Sequence, residues 1–180
     1  MKKIFALLSV LFFFNCEENP QQKEVAIQQR AQLIHLKTTT LDTHNDIDVK
    51  NFTDSLNYSQ NTDTQVNLPK MQAGALDVSW FIVYTKQGDL TPEGYKKAAD
   101  NAQSKFDAIR RLTEIYAPTK IGLATSSAEV DSLRKMSKKV AMIGVENAYP
   151  IGLDTASVKC YYDMGARYMS LAHNGHNQFS

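Results

Sequence analysis

The sequence predicts an α/β fold built on parallel strands. Two nearly continuous apolar runs, 75–84 (ALDVSWFIVY) and 140–146 (VAMIGVE), read as strands buried on both faces. Between them, 91–116 repeats apolar residues at helical spacing. Short joints between strand and helix then require parallel pairing through right-handed crossovers. A closed barrel and a doubly wound open sheet both satisfy this pattern. The 180 residues, 43% hydrophobic and 22% charged, suffice for one domain with a real core. A formal net charge of +1 gives no electrostatic footprint for a nucleic-acid partner. Two cysteines, Cys16 and Cys160, are too few for a disulfide scaffold or a structural zinc knuckle, and both are expected unpaired.

The elements follow in order. Lys2 and Lys3 precede an apolar run from Ile4 to Phe14, too short to span a bilayer and suited to a signal peptide over 1–15. Cys16 directly after that run resembles a bacterial lipoprotein site, so 16–24 reads as a tether carrying a lipid anchor on the membrane. A plain signal peptide with an incidental cysteine is the alternative. Either way the protein is expected to be exported to the bacterial cell envelope. The domain proper is expected over 25–180. Residues 24–36 read as a helix and 38–46 (TTTLDTHND) as a strand. The polar stretch 50–68 reads as a long loop of functional type. Thr91 and Pro92 open the surest helix, ended by Pro118. Residues 121–124 form a short apolar segment. Ser126 and Glu129 have capping-box spacing at the head of another helix. Residues 154–164 form a helix stopped by Gly165, and 167–173 (RYMSLAH) a further strand.

Polar residues fall at the C-terminal ends of these strands, where barrels keep their active sites. His44 and Asp46 stand at i and i+2 on the first strand, so imidazole and carboxylate share one face. Both are zinc-ligand types. Glu146 closes VAMIGVE and His173 closes RYMSLAH. A carboxylate after an apolar run is costly to bury unpaired, and a metal ion relieves that cost. Taken singly, each residue is as well explained by a turn, a helix cap or a hydrogen-bonded core histidine. The same placement on three strands favours a shared site. Asn45 should point away from it.

The segments LDTHNDID, NLPKMQAGALDVSWFIVYT, GVENAYPIG and GARYMSLAHNGHN resemble, in order, motifs of the membrane (renal) dipeptidase family of metallopeptidases. The resemblance covers most of the chain beyond the leader. It implies a (β/α)8 TIM-type barrel of the metal-dependent hydrolase kind, two zinc ions, and hydrolysis of dipeptides or similar small amides by a metal-bridging hydroxide. It further implies that His44 and Asp46 hold the first zinc, that Glu146 bridges the two, and that His173 contacts the substrate and steadies the oxyanion. Asp48 stands where many members have proline. His176 has no secure family role and reads as a rim residue, and His35 as structural or exposed. A complete barrel takes about 250 residues. The chain is therefore expected to be a partial barrel, truncated before closure, and inactive as a fragment. Two readings stand beside it: another binuclear-metal amide or lactone hydrolase, and a non-catalytic exported binding lipoprotein. A homodimer is compatible with the sequence, which does not fix oligomeric state.

Overall fold

The computed structural model describes residues 19–180, so the expected leader and Cys16 lie outside the described residues. The chain divides into two units at Lys37/Thr38. In the first, helix α1 spans Pro20–Lys37. It starts earlier than the expected 24, inside the expected tether, because Asn19 Oδ1 accepts from the Gln21 amide (3.0 Å) and Pro20 suits a first turn. Among the described residues no helix is long and apolar enough to cross a membrane.

The second unit runs β1 (Leu41–Asp46), a 3₁₀ turn (Val49–Asn51), α2 (Leu68–Ala73), β2 (Val78–Tyr84), α3 (Pro92–Arg111) with a closing π turn (Leu112–Tyr116), β3 (Ile121–Leu123), α4 (Ser127–Lys135), β4 (Lys139–Glu146), a 3₁₀ turn (Tyr149–Ile151), α5 (Ser157–Asp163) and β5 (Ala166–Met169). All strand pairings are parallel. β1 pairs with β2, and β2 runs along one whole edge of β4 from Val78↔Val140 to Tyr84↔Glu146. The other edge of β4 is shared: β3 takes Lys139–Ala141 and β5 takes Ile143–Val145.

Strand alternation sorts the side chains. Phe81, Val83, Ile143 and Val145 join the buried core with Ala102, Phe106 and Ile109 of α3. On the opposite face lie Trp80, Met142 and Tyr168. Tyr168 stacks on Trp80 (ring centroids 5.1 Å apart), and its hydroxyl donates to the Thr43 carbonyl of β1 (3.1 Å). Between β5 and β1 stand β4 and β2, a span of about 14 Å in a flat sheet at usual strand spacing. One tyrosine cannot cross that, so the sheet must curl around the Tyr168 ring, as a barrel wall does. Gly144 leaves the room: a Cβ there would overlap the ring.

Several local features differ from expectation. β1 and β2 start later, at Leu41 and Val78, because Thr40 and Asp77 exchange hydrogen bonds and Ala75 takes a positive φ of 52°. The segment 47–67 is packed: Phe52, Tyr58 and Val66 are buried, and Asn57 and Asn67 donate to the carbonyls of Thr53 and Thr62. Helix α2 was not expected, although Asn67 caps it and Pro69 sits in its first turn. At α4, Ser126 Oγ accepts from the Glu129 amide. Glu129 reaches past the cap to the Thr125 amide and hydroxyl, and those hydrogen bonds hold its carboxyl below the usual range. Helix α5 starts at Ser157, since Asp154 Oδ1 accepts from Ala156 in a turn. β5 stops at Met169 and does not reach His173.

Two outcomes are expected. Gly144→Ala should cost about 1–3 kcal/mol through overpacking, read by chemical denaturation. Burial pushes the Tyr161 phenol up to about 12. Its folded-state pKa is thus raised, so its contribution to stability is full below pH 10 and falls between pH 10 and 12. Tyr161→Phe should flatten the alkaline loss of stability across that window; an unchanged profile would contradict the assignment.

Candidate metal centre

β4 ends level with β2 and β1 two residues short of it, and the last residues of β1 and β4 carry carboxylates. His44 Nε2 lies 3.5 Å from Glu146 Oε2 and 3.8 Å from Asp46 Oδ1. One ligand atom from each of His44, Asp46 and Glu146 lies within 4.8 Å of the others. At metal–ligand lengths of about 2.1 Å, ligand atoms of a tetrahedral ion sit about 3.4 Å apart. The two measured separations are close to that edge, and an imidazole with two carboxylates suits a divalent cation. Glu146 is the least exposed of the three, 18% against 47% for His44 and 68% for Asp46. An ion there would offset the cost of enclosing its charge. The donor set therefore fits a metal.

The local backbone explains the aim of these groups. Between Asp42↔Ser79 and Asn45↔Phe81, β1 uses three steps against two on β2, so it bulges at Thr43 and His44. The His44 amide donates to Asp42 Oδ1 (3.0 Å) at that bulge. Asn45 turns to the other face and donates to Ser79 Oγ (3.0 Å), as strand alternation anticipated. Asp48 joins no ligand set; it caps the following 3₁₀ turn by accepting from the Lys50 amide.

His173 is brought to the same place by a different route from the one expected. It lies in the loop after β5, four residues past the strand end, with Nε2 3.5 Å from Glu146 Oε1. Glu146 therefore meets His44 with one oxygen and His173 with the other. Asn147, 1% exposed at φ 76°, anchors that loop. Its Nδ2 donates to the Thr85 carbonyl, its Oδ1 accepts from Asn177 Nδ2 (2.8 Å), and its amide donates to Ser170 Oγ. Gln178 adds a bond to the Gly152 carbonyl (2.7 Å). The ends of β2, β4 and β5 are thereby tied together. His176 is exposed in this loop, and His35 lies on α1.

The sequence reading passed over Tyr84 and Lys105. The Tyr84 ring meets His173 edge-on (centroids 5.0 Å apart), and Lys105 Nζ stands 5.6 Å over the same ring. A signal for Lys105 was present: it follows Ala102 by three residues and falls on the apolar face of α3 with Phe106 and Ile109.

Parallel strands that deliver ligand-type side chains to one rim define an α/β protein with a candidate divalent-metal centre. Residues 28–180 match the family described as Membrane dipeptidase (Peptidase family M19), and the chain belongs to that family. Among curated relatives, dipeptidase aclJ of Aspergillus oryzae is 26% identical over 64% of this chain and 28% of its own length. An uncharacterised dipeptidase of Schizosaccharomyces pombe is 25% identical over 89% of this chain and 41% of its own. The probable dipeptidase PvdM from Pseudomonas aeruginosa superposes with a TM-score of 0.77 at 19% identity, over 88% of this chain and 40% of that one. A metallopeptidase from Rhodobacter sphaeroides, liganded with a phosphinate mimic of the dipeptide L-Ala-D-Ala, gives 0.63 at 16% identity, over 77% and 46%. These likenesses bear out the partial TIM-type barrel. The chain spans less than half the length of each of these relatives.

Asp46→Ala and Glu146→Gln should each weaken cobalt(II) uptake by about tenfold or more, read from its visible absorption, while Asp48→Asn leaves it nearly unchanged. Equal uptake by all three would remove the centre.

Proposed function

We propose that this chain is the metal-binding part of an exported, zinc-dependent dipeptidase. The observation that carries the reading is the meeting of His44, Asp46 and Glu146 from two strand ends, with His173 on the far oxygen of Glu146. Family membership supports it, and the dipeptide mimic held by the Rhodobacter relative supports dipeptides as substrates.

In this reading His44 and Asp46 would hold one ion, and Glu146 would be shared with a second. The ions would supply an acidified water as nucleophile and polarise the scissile carbonyl. The chain's own residues do the rest. Glu146, drawn in from solvent, fixes the spacing of the site and brings negative charge where cations must sit close together. His173, held by the Asn147 and Gln178 bonds, is placed to donate from Nε2 to the oxygen that gains charge in the transition state. Because that loop is pinned at both ends, little reorganisation accompanies the donation. Among the described residues a single three-ligand group is found, so residues 1–180 alone are expected to bind zinc without hydrolysing dipeptides.

The test uses the protein as its gene encodes it, together with the 180-residue chain. It should hydrolyse L-Ala-D-Ala or related dipeptides, and His173→Ala should lower kcat by about 10²–10³, the order for losing one oxyanion donor. Retained zinc with no hydrolysis across a dipeptide panel would refute the reading. So would full activity of the 180-residue chain, for the inactivity proposed here.

A further inference from the structure

The end of the sheet away from the metal centre carries a pattern of its own. Strands β2, β3 and β4 start there, beside the turns that lead from α3 into β3 and from α4 into β4. Lys120, Arg134, Lys135, Lys138 and Lys139 gather on these turns. Lys120 directly precedes β3, and its carbonyl accepts from the Lys139 amide (2.8 Å). Arg134, Lys135, Lys138 and Lys139 line a surface depression of about 410 Å³ with Ser137, Asp77 and Asp131. Asp77 is already engaged, by Arg134 at 3.2 Å and Lys139 at 3.6 Å. Lys120, Lys135 and Lys138 take part in none of the ion pairs found among the described residues. The dipole of α4 explains a preference for cations in its last turn, at Arg134 and Lys135. It does not explain Lys120, which opens the neighbouring strand.

Uncovered apolar side chains stand on the same turns. Met136 is 55% exposed just after α4, and Ile115 is 66% exposed in the π turn that closes α3. Free ammonium groups interspersed with apolar side chains suit an anionic lipid surface. Headgroups take the charges, and the interface takes the apolar groups and the lysine stems. A soluble anion would use the lysines and leave Ile115 and Met136 uncovered. The path of the chain agrees with a lipid. The unit begins at Thr38 on this same end, where Arg134 donates to Thr39 Oγ1 (2.6 Å) and Thr40 exchanges hydrogen bonds with Asp77. Whatever precedes the unit, the expected lipid-bearing tether included, joins it here. β4 runs from Lys139 at this end to Glu146 at the other, about 23 Å at the usual strand rise. Lipid contact at the first end therefore leaves the metal centre open to solvent.

We propose that the N-terminal end of this sheet is a membrane-facing surface, on which Lys120, Lys135 and Lys138 meet anionic lipid headgroups while Ile115 and Met136 enter the interface. The inference rests on the exported reading above, which brings the chain to a lipid surface. It is independent of the dipeptidase chemistry.

The test uses the 180-residue chain with vesicles of phosphatidylglycerol, and vesicles of phosphatidylcholine as their neutral counterpart. An apolar leader enters both lipids, so the comparison is between variants that share it. The triple variant Lys120→Gln, Lys135→Gln, Lys138→Gln should bind phosphatidylglycerol about a hundredfold more weakly, at about fivefold for each lysine near an anionic surface. Its binding to phosphatidylcholine should not change. The pair Lys86→Gln, Lys97→Gln, exposed at the metal-centre end, should leave both unchanged. Hydrogen exchange gives a reading that needs no variant. Amides of 132–138 should exchange more slowly on phosphatidylglycerol vesicles, while those of 170–178 keep their rates. Slowing at 170–178 instead would overturn the proposal, since the opposite end would then meet the lipid. So would a triple variant that binds phosphatidylglycerol as tightly as the parent chain. Glycerol phosphate slowing the 132–138 amides as strongly without any vesicle would mean that a free phosphate fills the depression, and the lipid assignment would fall. Vesicle binding through these lysines in a protein that its cell does not export would sink the exported reading and leave the lipid-facing surface in place.

Discussion

Strand β4 carries the constraint on which the rest depends. Among the described strands it alone pairs with three others: β2 along one edge, β3 and β5 on separate halves of the other. Its backbone ladder fixes the level at which each neighbour ends. Tyr84 falls opposite Glu146, and Asp46 opposite Ile82, two residues lower. The bulge at His44 and the curl enforced by Tyr168 then turn the end of β1 toward the end of β4. A one-residue slip of β1 would send His44 and Asp46 to the helix side and Asn45 to the site.

The chemistry grows from a carboxylate placed where the hydrophobic layer stops. Glu146 follows seven buried or half-buried residues of β4 and is itself only 18% exposed. Two histidines from different segments meet its two oxygens, and Asn147, the next residue, ties the flanking loops in place. Acidic groups at the rim and a pinned imidazole beside them make a site whose charges are arranged before any ligand arrives. That arrangement is what electrostatic catalysis requires, since groups already oriented spend no free energy on turning.

Much of the fold was legible because its signals are local. Thr91, Pro92 and the Ala98–Ala102–Phe106–Ile109 repeat mark α3, and Ser126 with Glu129 marks the head of α4. The apolar runs at β2 and β4 could hardly be anything but buried strands. The failures are equally physical. RYMSLAH has the look of one strand, yet pairing with β4 stops at Met169, because the Ser170 amide donates to the Val145 carbonyl and its hydroxyl then accepts from the Asn147 amide. The polar 50–68 stretch reads as loop by composition, while its order comes from Asn side chains bonded to its own backbone and from Phe52 and Tyr58 packed into the core.

Which residues gather at the candidate site was legible in the sequence alone: residue type and period put His44, Asp46 and Glu146 at strand ends on one side, and the run of motifs pointed to the family. How those groups meet was decided by tertiary structure. His173 reaches Glu146 through a loop rather than a strand. Separations of 3.5 Å between residues 102 and 27 positions apart in sequence are set by sheet curvature and loop anchoring, and these are sums over many weak contacts that no short stretch of sequence encodes.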